Sequence, residues 1–137
     1  MGLIHLDAGV IMGFLDSDDA HHQKSRAALA GALQKGDHLA LAASALAECL
    51  VGPARRGEPA IHLVRNLVDR LPISIVPLDA EIATTAARLR AAHRVLRLPD
   101  ALVIATAIDQ VADQLVTTDQ KWPTAKALEY KGIIIRL

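Results

Sequence analysis

Leu98-Pro99-Asp100-Ala101-Leu102-Val103-Ile104-Ala105-Thr106-Ala107 reads as an apolar helix opened by a single carboxylate. Pro99 cannot extend a helix backwards, whereas Asp100 can cap the orphan N–H groups of a first turn. The partial positive charge at a helix start also favours the ionised acid. Beyond that turn almost every residue is apolar or small, so the helix is expected to be buried on most sides, with its one acid at an open end.

Outward from this helix, short strand signals alternate with longer helical ones. Toward the C-terminus come a strand at Leu115-Val116-Thr117, a short helix from Asp119 to Leu128 and a last strand at Gly132-Ile133-Ile134-Ile135. Toward the N-terminus, a helix from Asp79 to about His93 follows the strand Ile73-Ser74-Ile75-Val76, which is β-branched at three of four positions. Glu58-Pro59 opens a helix through Arg70; Ser44 caps one through Leu50, with Gly52-Pro53 as its break. His38-Leu39-Ala40-Leu41 is a weaker, alanine-rich strand that also reads as a loop. Asp18 or Asp19 caps a helix to about Lys35, and Val10 to Leu15 forms a short helix after the strand Leu3-Ile4-His5-Leu6. The alternation predicts an α/β fold: five strands in a parallel sheet flanked by helices, with right-handed crossovers.

Composition narrows the function. A chain of 137 residues is one-domain length, and no linker, repeat or low-complexity segment divides residues 1–137. The lone Cys49 forms no internal bridge, and no leader or membrane-spanning run is apparent, so a reduced, soluble, cytoplasmic protein is expected. Fifteen basic residues balance fifteen acidic ones, so a polyanion has to be held by local patches rather than by net charge. Phe14, Trp122 and Tyr130 are the only aromatics, too few for a base-stacking platform.

Several acids fall at informative places. Asp7 and Asp119 follow strands one and four, and open α/β sheets bind ligands outside the carboxyl ends of their strands. Glu48 lies among Ala45, Leu46, Ala47, Cys49, Leu50 and Val51, and a carboxylate so embedded needs a partner, a hydrogen bond or a metal. Arg55 and Arg56, seven and eight residues on, are its nearest cations in sequence, and Ser44 sits one turn earlier on the same face. Local winding alone does not bring Asp100 to these acids. Taken singly, Asp100 and Asp119 are simply helix caps, Asp7 a turn residue and Glu48 half of an ion pair.

Asp7-Ala8-Gly9-Val10-Ile11 after a strand, Ser44-Ala45-Leu46-Ala47-Glu48, the Leu98–Ala107 stretch and Val116-Thr117-Thr118-Asp119 resemble the four ordered acidic motifs of PIN domains. More closely they resemble the VapC toxins of bacterial toxin–antitoxin pairs, and the resemblance covers the whole chain. It implies a PIN-like sheet on which Asp7, Glu48, Asp100 and Asp119 converge in one acidic pocket. The implied activity is metal-dependent endoribonuclease on structured RNA such as tRNA or rRNA. A homodimer and a cognate VapB-type antitoxin, which inserts a C-terminal segment into the active-site groove, are implied as well. Two departures stand out: Ala8 replaces the Ser or Thr frequent after the first Asp, and Trp122 stands where Phe is common.

The chemistry suits these residue types. Two carboxylates about 4 Å apart repel by about 4 kcal/mol at an effective dielectric near 20, and a divalent cation reverses that repulsion. Hard oxygen donors select Mg²⁺, with Mn²⁺ as substitute, and no Cys or His spacing suggests zinc. Asp7 and Asp100 are expected as direct ligands and Asp119 as a direct or water-mediated one, with Glu48 at the metal site orienting or deprotonating the water. Ser44 and Thr118 are expected to orient the carboxylates, and Arg55 and Arg56 to border the pocket where RNA phosphates would lie.

The remaining polar residues read more plainly. His21 and His22 are expected to be solvated, His5, His62 and His93 to lie on the surface or be satisfied, and Cys49 to be an inert core thiol. Asp16, Asp18 and Asp19 form a loop and cap. Asp109 and Asp113, four apart, read as a solvated helix face. A second function class is a non-catalytic PIN-like module binding RNA or protein. A phospho-acceptor receiver, suggested by Asp7 and Asp79 after strands, lacks the paired acid and the lysine such a domain needs.

Overall fold

Strands β1 (Leu3–Leu6), β2 (His38–Ala42), β3 (Ile73–Val76), β4 (Gln114–Thr117) and β5 (Ile133–Arg136) pair in the order β3-β2-β1-β4-β5, all parallel, in a computed structural model that describes residues 1–137. Six helices flank them: α1 (Ala8–Leu15), α2 (His22–Gln34), α3 (Ala43–Arg56), α4 (Glu58–Arg70), α5 (Ala80–Ala92) and α6 (Leu98–Asp109). The chain builds outward from β1 to β3, then returns to lay β4 and β5 on the other side of β1. The strand order therefore reverses between β1 and β4, and it is outside the carboxyl ends at such a reversal that open α/β sheets bind ligands.

Register places Leu6 opposite both Leu41 and Val116. Leu6, Leu41, Ile104 and Leu115 are fully buried, each worth about 1.5–3 kcal/mol of apolar burial. The alanine-rich stretch at residues 38–42 is an interior strand, with Leu39 to Ala42 all buried. Helices α2, α3 and α6 pack on it, and alanine is small enough to let them approach. The apolar helix α6 behaves as its composition requires: Ala101 and Val103 to Ala107 are buried. No helix is long and apolar enough to cross a membrane.

Several boundaries differ from expectation for local reasons. The segment Asp119–Leu128 is not a helix. Asp119 Oδ1 accepts from Lys121 N at 2.7 Å, Pro123 offers no N–H, and Arg136 Nη2 takes the carbonyls of Trp122 and Pro123, so turns displace helical bonds. Conversely, α3 runs straight through Pro53, which is buried within it, and ends at Gly57, whose φ of 112° breaks the helical path. Its N-cap is Ala42, so Ser44 is a helical residue rather than the cap. Helix α2 starts at His22, beyond the Asp18–Asp19 turn. Asp113 lies past α6, where its Oδ2 accepts from Leu3 N at 2.7 Å and ties the start of β1 to the start of β4.

Candidate active site

Asp7 leaves β1 in extended conformation and caps α1, so one residue belongs to both a strand end and a helix start. Its backbone N–H extends the ladder to Val116 O at 2.9 Å. Its Oδ1 accepts from Ala8 N at 2.9 Å, and its Oδ2 accepts from the hydroxyl of Thr117 at 2.7 Å. Thr117, the last residue of β4, is fully buried, and its Oγ1 accepts in turn from Asp119 N at 3.0 Å. One hydroxyl thus bridges the Asp7 carboxylate and the backbone of Asp119, fixing both across the reversal point of the sheet.

Asp100 reaches the same edge from another direction. Only Gln110 to Asp113 separate α6 from β4, so a crossover helix must run back against the strand and begin at the carboxyl edge. Asp100 is not the cap itself but lies in the first turn, 8% exposed, where its Oδ2 accepts from Arg97 N at 3.1 Å. The Arg97 guanidinium stands over it, with Nε 3.6 Å from Oδ2. Glu48, half-buried on α3, completes the group one turn after Ser44.

Electrostatics tie the four together. Burial raises the pKa of Asp7 above the usual carboxylate range; the hydrogen bonds from Thr117 and Ala8 oppose this, while the charges of Asp100 and Asp119 add to it. Glu48 is also raised, by burial and then by Asp7 and Asp100, and the cation whose field reaches it is Arg97. Arg55 and Arg56, exposed in the last turn of α3, make no ion pair with it. Cys49 Sγ lies 3.7 Å from Ala8 O, and burial, Glu48 and Asp7 push its thiol up to about 12, so it stays protonated.

This donor set has the chemistry of a hard-cation site: carboxylate oxygens, of which those of Asp7 and Glu48 are raised in pKa by burial and then by neighbouring acids, with the Ser44 hydroxyl buried and unpartnered one turn from Glu48. No three acid, His or Cys side chains converge at ligating spacing, so these oxygens would have to draw together to hold an ion. Beside Glu48, a groove of about 640 Å³ between α1, α3 and α4 is lined by Met12, Asp16, Arg56, Leu63 and Leu67, among others.

Other polar residues settle differently from their reading in sequence. The hydroxyl that holds a carboxylate is that of Thr117, not Thr118. Thr118 Oγ1 instead fills the space where a Cβ would stand on Gly9, so this glycine lets the loop after β4 close onto the first turn of α1. The signal for Thr117 is a polar side chain, wholly buried, directly after the apolar pair Leu115-Val116 at the end of β4. Arg97 is one of four arginines between residues 88 and 97, with Arg88, Arg90 and Arg94, and nothing in their spacing sets it apart. His5 is neither superficial nor satisfied; it is buried in β1 with Nε2 unpartnered, and burial pushes it down to about 4. His22 Nδ1 pairs with Gly13 O at 2.8 Å, and His62 lies 3.8 Å from Glu58 on the surface. Trp122 is packed in the core.

Comparison with known proteins bears on this geometry. The PIN domain family matches over residues 4–128. No curated protein matches the sequence significantly. Among solved structures, VapBC2 of Rickettsia felis, bound to a DNA fragment from their promoter, aligns at TM-score 0.69 and 18% identity, over 98% of both chains. The sarcin–ricin loop cleaving toxin VapC20 of Mycobacterium tuberculosis aligns at 0.69 and 16%, over 86% of this chain and 91% of that one. FitAcB of Neisseria gonorrhoeae aligns at 0.68 and 18%, over 97% and 96%. At these identities the likeness is one of fold.

Proposed function

Since the chain belongs to the PIN-domain family, we propose that it is a metal-dependent endoribonuclease, the toxin of a type II toxin–antitoxin pair, acting as a single PIN domain. The observation that supports this reading is electrostatic: the charges of Asp100 and Asp119 act on Asp7, and those of Asp7 and Asp100 on Glu48, each adding to the rise in pKa that burial causes.

Asp7, Asp100 and Asp119 would hold the cation, Mg²⁺ with Mn²⁺ as substitute. Such an ion would supply Lewis acidity, making an attacking water more acidic and offsetting negative charge on the phosphodiester. Glu48 is the residue to orient or deprotonate that water, since a raised carboxylate is the better base. Thr117 keeps Asp7 aimed, through the hydroxyl it donates. Structured RNA as substrate class is supported by a structural relative that cleaves the sarcin–ricin loop.

A VapB-type antitoxin as partner is supported by relatives that are VapBC assemblies, and the groove beside Glu48 offers an apolar floor with acidic walls for such a segment. A homodimer belongs to the same reading, in which Arg55 and Arg56 border the RNA path. The test is cleavage of total cellular RNA by antitoxin-free protein with Mn²⁺ or Mg²⁺ against EDTA, beside Asp7→Asn. Discrete fragments that need both the metal and Asp7 are expected. The lack of three converged donors favours one second reading, a non-catalytic RNA- or protein-binding module. That module predicts intact RNA in every lane and indifference to Asp7→Asn.

A further inference from the structure

We propose that Arg97 is the phosphate-binding residue of the site: its guanidinium, which rests on Asp100 in the free protein, passes to the RNA phosphodiester when substrate enters. The inference rests on the ribonuclease reading above and deepens it by naming the residue that admits an anion to a pocket of acids.

A cluster of four carboxylates repels the substrate it has to cut, so a cation must stand at its mouth. Arg97 is placed there by its position just before the first turn of α6. Its Nε lies 3.6 Å from Asp100 Oδ2, and its charge is felt at Glu48. It therefore spans two of the four acids, whereas Arg55 and Arg56 pair with neither. Its side chain is 77% exposed while that of Asp100 is 11% exposed, so the acid is fixed and the cation is free to turn outward. At 3.6 Å and in contact with solvent the pair is loosely held. A guanidinium also carries the planar fork that fits two oxygens of one phosphate, and a lysine does not.

The two halves of Arg97 are separable. Its backbone N–H makes the bond to Asp100 Oδ2, and every substitution except proline keeps that N–H. Arg97→Ala is therefore expected to fold with an unchanged melting temperature while losing the charge. A cation on Asp100 competes with Arg97 for the same oxygen, so removing the guanidinium is expected to strengthen binding of Mn²⁺ as it weakens binding of RNA.

The experiment follows a fluorescein-labelled RNA hairpin bound to the full chain in EDTA across a KCl series, together with Mn²⁺ affinity and the KM of cleavage. In Arg97→Ala we expect RNA affinity several-fold lower at low salt, the slope of log K against log salt shallower by about one, and a higher KM. Arg97→Lys should recover the slope but only part of the affinity. Mn²⁺ affinity should rise in Arg97→Ala, a change that general damage to the site would not produce. Unchanged affinity, slope and KM in Arg97→Ala overturn the role of Arg97 and leave the nuclease reading standing. Wild-type protein that neither binds nor cuts RNA overturns the nuclease reading, and the role of Arg97 with it.

Discussion

Asp7 is a carboxylate whose surroundings oppose its charge in the absence of a cation. Burial and the neighbouring acids raise its pKa, so the folded chain holds its proton more tightly than the unfolded chain does. Its contribution to stability is then complete below the ordinary aspartate value of about 3.9 and is lost as pH rises through the folded value. Glu48 acts in the same direction. Asp7→Asn is accordingly expected to raise the metal-free melting temperature by a few degrees at pH 7, a gain that shrinks as pH falls through the raised folded value and is gone below about 3.9. Thermal unfolding in EDTA across that range checks it, and a variant less stable than wild type at pH 7 would contradict it. Thr117→Val keeps the shape but removes the donor to Asp7 and the acceptor for Asp119. Cleavage should fall by about 10- to 100-fold, as for other residues that hold a ligand in place, with stability lower by about 1 kcal/mol. Thr117→Ser should restore most of both.

At the scale of elements, α6 links the core to the site. Its middle is buried on every side and its first turn carries Asp100, so the acid is positioned by packing several residues away. Ile104→Ala, at a fully buried position, should destabilise by about 2–5 kcal/mol, read as a lower urea midpoint at unchanged m-value. A loss under 1 kcal/mol would mean that α6 is not the anchored element described. This helix was legible in sequence because apolar residues on every face have one physical outcome. The segment after Asp119 was not, because Pro123 and the grip of Arg136 on two carbonyls outweigh a helical pattern, and Arg136 comes from a strand far along the chain. Pro53 misled in the opposite sense, since burial of that turn holds α3 together across one missing N–H.

For the whole molecule, stability and activity pull apart: the acids that would serve catalysis repel one another in the metal-free fold. A divalent ion that binds only the folded chain stabilises it by RT ln(1 + [L]/Kd), about 2.7 kcal/mol at a hundredfold excess over Kd. Mn²⁺ or Mg²⁺ is therefore expected to raise the melting temperature of the wild type at pH 7, reversibly with EDTA, and to do little for Asp7→Asn. Equal shifts in both proteins would place the ion elsewhere.

Local signals in the sequence carried the alternation of strands and helices and the burial of the Leu98–Ala107 helix, because apolar periodicity is a local property; the four acids were drawn into one set only by the resemblance to ordered PIN-domain motifs. The tertiary structure decided the strand order β3-β2-β1-β4-β5 and, with it, that the charges of both Asp100 and Asp119 act on Asp7. It also decided that the Thr117 hydroxyl donates to Asp7 and that the Arg97 guanidinium lies beside Asp100. These are contacts between residues up to 110 positions apart. A crossover can place the next strand on either side of the sheet, and only packing of the whole chain selects one.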